Sequence, residues 1–157
     1  MISSSAVVSS GSNYDVEVGN TTRFNVESSR GSSITVNSST TNQISLAAGL
    51  YQIIFNGWVQ MNAAISGKLD YQMRISTDST FATSDVAFDR NIQFFGTSAT
   101  LQPIIDPSHT VLFNTASATS IYIRINVSNG NSQDWILRGD ATSQLTNVHI
   151  LRISDAA

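Results

Sequence analysis

An antiparallel all-β fold, built as a two-sheet sandwich, is the class this sequence predicts, on three observations. Roughly eight to ten short runs, rich in β-branched and aromatic residues, follow one another between clusters of Gly, Asn, Ser and Pro. Within most runs apolar and polar side chains alternate, as they do along strands that bury one face. No segment keeps the 3.6-residue period of a helix.

Residues 1–12 are Ser-rich, interrupted by Ala6, Val7 and Val8. They read as a flexible N-terminal arm ahead of a single domain spanning 13–157, with the three apolar residues suited to ordering as a short strand against a neighbour's edge. The domain begins with YDVEV at 14–18, RFNVE at 23–27, SITV at 33–36 and QISL at 43–46, each bounded by turn-forming residues. Next comes GLYQIIFNGWVQMNAA at 49–64, the longest apolar run, read as one strand. Its alternate residues Tyr51, Ile53, Phe55, Val59 and Met61 suit a core. The opposite set, Leu50, Ile54 and Trp58 with Gln52, Asn56 and Gln60 between them, is too apolar for a face that meets only water. Another copy of the chain is the expected cover, so Gln52, Ile54, Asn56 and Trp58 are placed in a subunit interface.

Further on, KLDYQMRIS at 68–76 alternates Leu69, Tyr71, Met73 and Ile75 against Asp70, Gln72 and Arg74, a strand buried on one face. VAFDRNIQFF at 86–95 slips in its pattern near Asp89 and Arg90, which suggests a bulge. Pro103 and Pro107 bracket a connection. Beyond it lie HTVLFN, then TSIYIRINV with Ile121, Ile123 and Ile125 on one face. The turn pair Asn129-Gly130 precedes DWILRGD, and LTNVHILRI closes the series.

Composition excludes several functions. The chain has 157 residues and no cysteine, so disulfides, thiolate metal sites and cysteine nucleophiles are absent together. Only 12% of residues are charged, while Ser, Thr and Asn supply about a third, far above their usual share. The net charge is −3 and the eight basic residues are scattered, which is not the footprint of a nucleic-acid binder. No apolar run approaches the length of a membrane span. The N-terminus carries no basic start or apolar core of a secretory signal.

With the strands in order, QISLAAGLYQIIFNGWV resembles the signature of the C1q and tumour-necrosis-factor jelly-roll superfamily, in which a short strand leads through a turn into Gly-x-Tyr and a long apolar strand. SHTVLFNTASATSIYIRINV and LTNVHILRI are similar to the strands that follow there. The resemblance spans roughly residues 31–153. It implies a two-sheet jelly roll that assembles as a homotrimer, with one sheet of each copy packed about the three-fold axis. It also implies that the last strand lies beside the long one, which puts His149 and Leu151 in the interface once Val148 and Ile150 fill the core. Three imidazoles would then meet near the axis, and protonating them together is expected to weaken assembly. Lacking a stalk, a signal and cysteines, the chain looks more like the phage structural members than the animal ones. The expectation is a capsid decoration (cement) protein on the virion surface, with the major capsid protein as partner and Ala6, Val7 and Val8 in the attachment arm. The alternatives are a receptor- or glycan-binding knob of a tail fibre or needle, and a secreted C1q-like recognition protein.

Nothing in the sequence makes a catalytic set, and neither an enzyme nor a cofactor is expected. His109 and His149 stand forty residues apart, and no G-x-S-x-G elbow is present. His109 reads as a polar residue at a turn. Asp78, Asp85 and Asp89 are the first places to look for a bound cation, though without EF-hand spacing. Trp135 beside Asp134 is either a sugar-stacking platform or a packed indole. Arg138-Gly139-Asp140 spells an integrin-binding tripeptide but is also a good turn.

Overall fold

Strands form where the alternation is cleanest. The computed structural model describes residues 6–8, 13–15, 32–36, 43–61, 67–82, 85, 87–95, 104–105, 108–129, 134–137 and 147–155. In chain order the strands are β1 (Ala6–Val8), β2 (Asn13–Asp15), β3 (Ile34–Val36), β4 (Ile44–Leu46), β5 (Gly49–Asn56), β6 (Val59–Met61) and β7 (Gly67–Ser76). They continue with β8 (Ala87–Phe95), β9 (Ile104–Ile105), β10 (Ser108–Thr115), β11 (Thr119–Asn129), β12 (Trp135–Leu137) and β13 (Asn147–Ser154). One sheet has the order β10-β5-β13, and a second runs β3-β4-β11-β7-β8 with β2 also pairing β11. A smaller sheet, β1-β12-β6-β9, completes the set. The chain crosses between the two main sheets from β4 to β5 and again from β10 to β11, and the pairings are antiparallel. This is an all-β jelly-roll sandwich.

The core lies between the sheets. Tyr51, Ile53 and Phe55 from β5 meet Leu69, Tyr71, Met73 and Ile75 from β7 and Ile121, Ile123, Ile125 and Val127 from β11, all buried in one cluster. Val59, Met61 and Trp135 extend it from the small sheet. Each buried side chain of this size contributes about 1.5–3 kcal/mol. The period-2 pattern is therefore enough to assign the inner face of β5, β7 and β11.

The Gly-x-Tyr motif has a local explanation. A Cβ on Gly49 would stand 2.7 Å from Arg152 Nε and 2.8 Å from the Ser154 carbonyl oxygen, so only glycine lets the end of β13 close onto β5. Two residues later the Tyr51 hydroxyl donates to the Ala47 carbonyl at 2.8 Å and lies 3.2 Å from that of Ser33, which itself accepts from Ala47 N. Arg152 Nη2 donates to the Ala48 carbonyl beside it. The motif thus pins β5, β13, the start of β3 and the β4–β5 link at one end of the sandwich.

Several expectations change. The run at 49–64 is two strands, not one: β5 ends at Asn56, and β6 pairs β12 and β9 in another sheet. The break falls at Gly57, where a Cβ would meet the Phe55 ring at 2.8 Å. No bulge interrupts β8, whose register against β7 is continuous through Asp89 and Arg90. The irregularity is in β13 instead, between Arg152 and Ser154. Ala6, Val7 and Val8, expected in a free arm, pair with Leu137, Ile136 and Trp135 of the same chain as β1. The YDVEV run is described only as far as Asp15, and RFNVE and Arg138-Gly139-Asp140 lie outside the described residues.

Candidate assembly surface

The outward face of the β10-β5-β13 sheet follows from its register. Along β5 the outward residues are Leu50, Gln52, Ile54 and Asn56, all half-buried, opposite the fully buried Tyr51, Ile53 and Phe55. Ile54 sits between Thr110 of β10 and His149 of β13, Gln52 between Leu112 and Leu151, and Asn56 between Ser108 and Asn147. Val148 and Ile150 pack against the core. His149 and Leu151 therefore point outward, as expected, and both are exposed. Leu112 is 63% exposed, Leu151 53% and Ile153 54%.

Leu112 is the member of this face that sequence reasoning missed. In HTVLFN, apolar residues occupy both parities, and only the pairing of Leu112 with Gln52 reveals which parity faces out. Trp58 was placed with the outward residues of β5, but it follows the strand break and is not in the β10-β5-β13 sheet. Of the six residues expected at the interface, the structure gathers Gln52, Ile54, Asn56, His149 and Leu151 on one face and sets Trp58 apart.

Charge is distributed unevenly between the two sheets. Among the described side chains, the outward face of β10-β5-β13 holds no Lys, Arg, Asp or Glu, and His149 is its titratable group. The outward face of the other sheet carries Lys68–Asp70 at 2.8 Å and the fork in which Arg74 Nε donates to both Asp85 oxygens at 3.0 and 2.9 Å. There Phe81, at φ 55°, lies under two guanidinium groups, Arg124 at 4.2 Å and Arg74 at 5.5 Å from the ring centre. A face without ionic groups is cheap to dry, whereas a face of ion pairs is not.

The remaining candidates resolve separately. Asp78 accepts from Thr80 N, Thr80 Oγ1 and Ala82 N and so caps its own loop, while Asp85 belongs to Arg74. Asp89 is placed on β8 by its backbone. Among the described residues no group of three or more His, Asp and Glu is disposed to hold a metal ion. His109 is not at an exposed turn: it is 2% exposed inside β10, stacked on Tyr71 with centroids 4.9 Å apart. Burial pushes the Tyr71 phenol well above its ordinary range, and its hydroxyl has no hydrogen-bond partner among the described residues. Trp135 is fully buried, so its ring is a packed indole and not a sugar platform.

No protein-family model matches the chain, and no curated protein sequence matches it. Similar solved structures include the Eiger TNF of S. frugiperda, 7% identical over 92% of this chain and 98% of that one, with a TM-score of 0.45. Another is TmCBM61, solved in complex with β-1,4-galactotriose, 11% identical over 70% of this chain and 61% of that one, with a TM-score of 0.30. A third is the VP2 subviral particle of infectious bursal disease virus, 13% identical over 97% of this chain and 37% of that one, with a TM-score of 0.38.

Proposed function

We propose that this is a non-enzymatic structural protein of a phage virion, a homotrimer that packs three β10-β5-β13 faces about an axis and binds the capsid as a decoration protein. The observation that carries the assembly is the outward face of this sheet, without ionic groups among its described side chains, on which Leu112 and Leu151 are each more than half exposed. Apolar exposure of this kind, on register positions that carry no ionic side chain among those described, marks an interaction surface, and the Arg152–Asp155 pair of the same sheet lies at the end of β13. A second copy suits it because every apolar group and amide that it presents is matched in kind by those of an identical face.

The non-enzymatic reading is supported by the histidines. His109 is sealed in the core and His149 lies on the outside of the same sheet, two strands away, so they share no site. Placement on a capsid, with the major capsid protein as partner, rests on the resemblance of the sequence to phage members of the jelly-roll superfamily and on its Ser/Thr/Asn-rich surface. Sedimentation equilibrium at micromolar concentration tests the trimer, and a monomer throughout would refute it. Cosedimentation with capsids of the source virus that lack this protein tests the location. Binding to tail components and not to capsids would move the protein to a fibre knob.

A further inference from the structure

We infer that the connection between β7 and β8 is a strap, locked onto the outward face of its sheet by two arginines and able to come off as a unit while the sandwich stays folded. Register puts Arg74 of β7 directly opposite Arg124 of β11, and both side chains lie on the outward face, since Met73, Ile75, Ile123 and Ile125 on either side of them are buried in the core. Two like charges facing each other across neighbouring strands repel. The connection supplies the groups that offset them. Arg74 Nε donates to both Asp85 oxygens, Arg124 Nη1 donates to the Thr80 carbonyl at 3.4 Å, and the Phe81 ring lies within cation–π range of both guanidinium groups.

Phe81 is 6% exposed although it stands outside the core cluster, and Thr77, Ser79, Thr80 and Ala82 around it are exposed. Its φ of 55° is unfavourable for a bulky side chain, and the turn that imposes it is closed by Phe81 N donating to the Asp78 carbonyl at 3.0 Å. A strained residue held by contacts outside the core belongs to a segment whose opening costs less than unfolding. Salt reaches the contacts that hold it, since the side chains of the Arg74–Asp85 pair are 27% and 20% exposed. Screening weakens the attraction that closes the strap and relieves the repulsion between the arginines that remains once it opens, so both effects favour opening at high ionic strength. An open strap leaves Arg74 and Arg124 opposite each other without the Asp85 carboxylate or the Phe81 ring, which turns a covered patch into a doubly positive one.

Hydrogen exchange of the full chain, followed by NMR at constant pH and corrected for intrinsic rates, tests this at the amides of Thr80, Phe81 and Ala82, which donate to Asp78 inside the strap. The three are expected to exchange through one common opening, about tenfold or more faster than Ile53 of β5. Between 0.05 M and 1 M sodium chloride they should speed up about threefold while Ile53 does not. Phe81→Leu keeps the apolar bulk and loses the aromatic face, and Asp85→Asn removes the carboxylate that pairs with Arg74. Neither takes a hydrogen bond from the Asp78 turn, yet each is expected to speed the three amides about tenfold with the thermal melt nearly unchanged, and Asp85→Asn should lose most of the salt dependence. Three amides that neither substitution moves would show that the turn holds itself without the arginines. Exchange no faster than that of Ile53 would make the segment part of the global unfolding unit, and a wild type indifferent to salt would remove the ionic lock. Each of these results overturns the inference.

Discussion

Replacing Leu112 and Leu151 together by asparagine should dissociate the assembly without unfolding the subunit. The two side chains flank Gln52 and are 63% and 53% exposed, so they do little for the isolated sandwich. Full burial of a leucine is worth about 2 kcal/mol, and covering the exposed fractions gives roughly 1.3 and 1.1 kcal/mol. Across three subunits the loss is about 7 kcal/mol, or some five decades in the monomer–trimer constant. Because that constant scales with the square of concentration, the midpoint shifts by about two to three decades, less whatever fraction association fails to realise. The assay is sedimentation equilibrium from 0.1 to 100 times the wild-type midpoint, with a thermal melt to confirm folding. Ile92→Asn is the control, since Ile92 is also exposed, at 41%, but lies on β8 in the other sheet. A double variant with the wild-type midpoint, or a control that dissociates instead, would refute the assignment of the face.

Other outcomes follow from single contacts. Gly49→Ala should destabilise the subunit by about 2–3 kcal/mol, read as a lowered urea midpoint, because the new Cβ meets Arg152 Nε and the Ser154 carbonyl inside 3 Å. Tyr71→Phe should stabilise it by about 1 kcal/mol by deleting a buried hydroxyl that has no partner among the described residues. Burial raises the folded pKa of Tyr71 above the unfolded value, so its contribution is intact below about pH 10 and is lost as pH rises further, when the unfolded chain releases a proton that the folded one keeps. Urea midpoints from pH 8 to 11 should fall less steeply in Tyr71→Phe, and parallel curves would contradict the sign. Deleting residues 1–8 bares the outer edge of β12 and should lower stability by about 1–3 kcal/mol, and an unchanged melt would show that the β1–β12 pairing contributes nothing.

The sequence by itself determined the strands and, for most of them, the face that turns inward. Alternation is a local property: Leu69, Tyr71, Met73 and Ile75 are two residues apart whatever lies across from them, and they are buried together. The outward exposure of His149 and Leu151 was legible for the same reason once Val148 and Ile150 were given to the core. What only the tertiary structure decided depends on which strands meet. The alternation of Tyr51 to Met61 runs unbroken through Gly57, so nothing local shows that β6 leaves the sheet of β5 or that Trp58 leaves its face. His109 looks like a turn residue beside Pro107, yet the pairing of β10 with β5 turns it inward against Tyr71. Leu112 reads as either face until that same pairing sets it beside Gln52. The ring of Leu50, Ile54, Leu112 and Leu151 around one amide exists only across strands separated by dozens of residues. Side-chain parity is set within a strand, but neighbours across a sheet are set by long-range register, and the assembly surface is made of such neighbours.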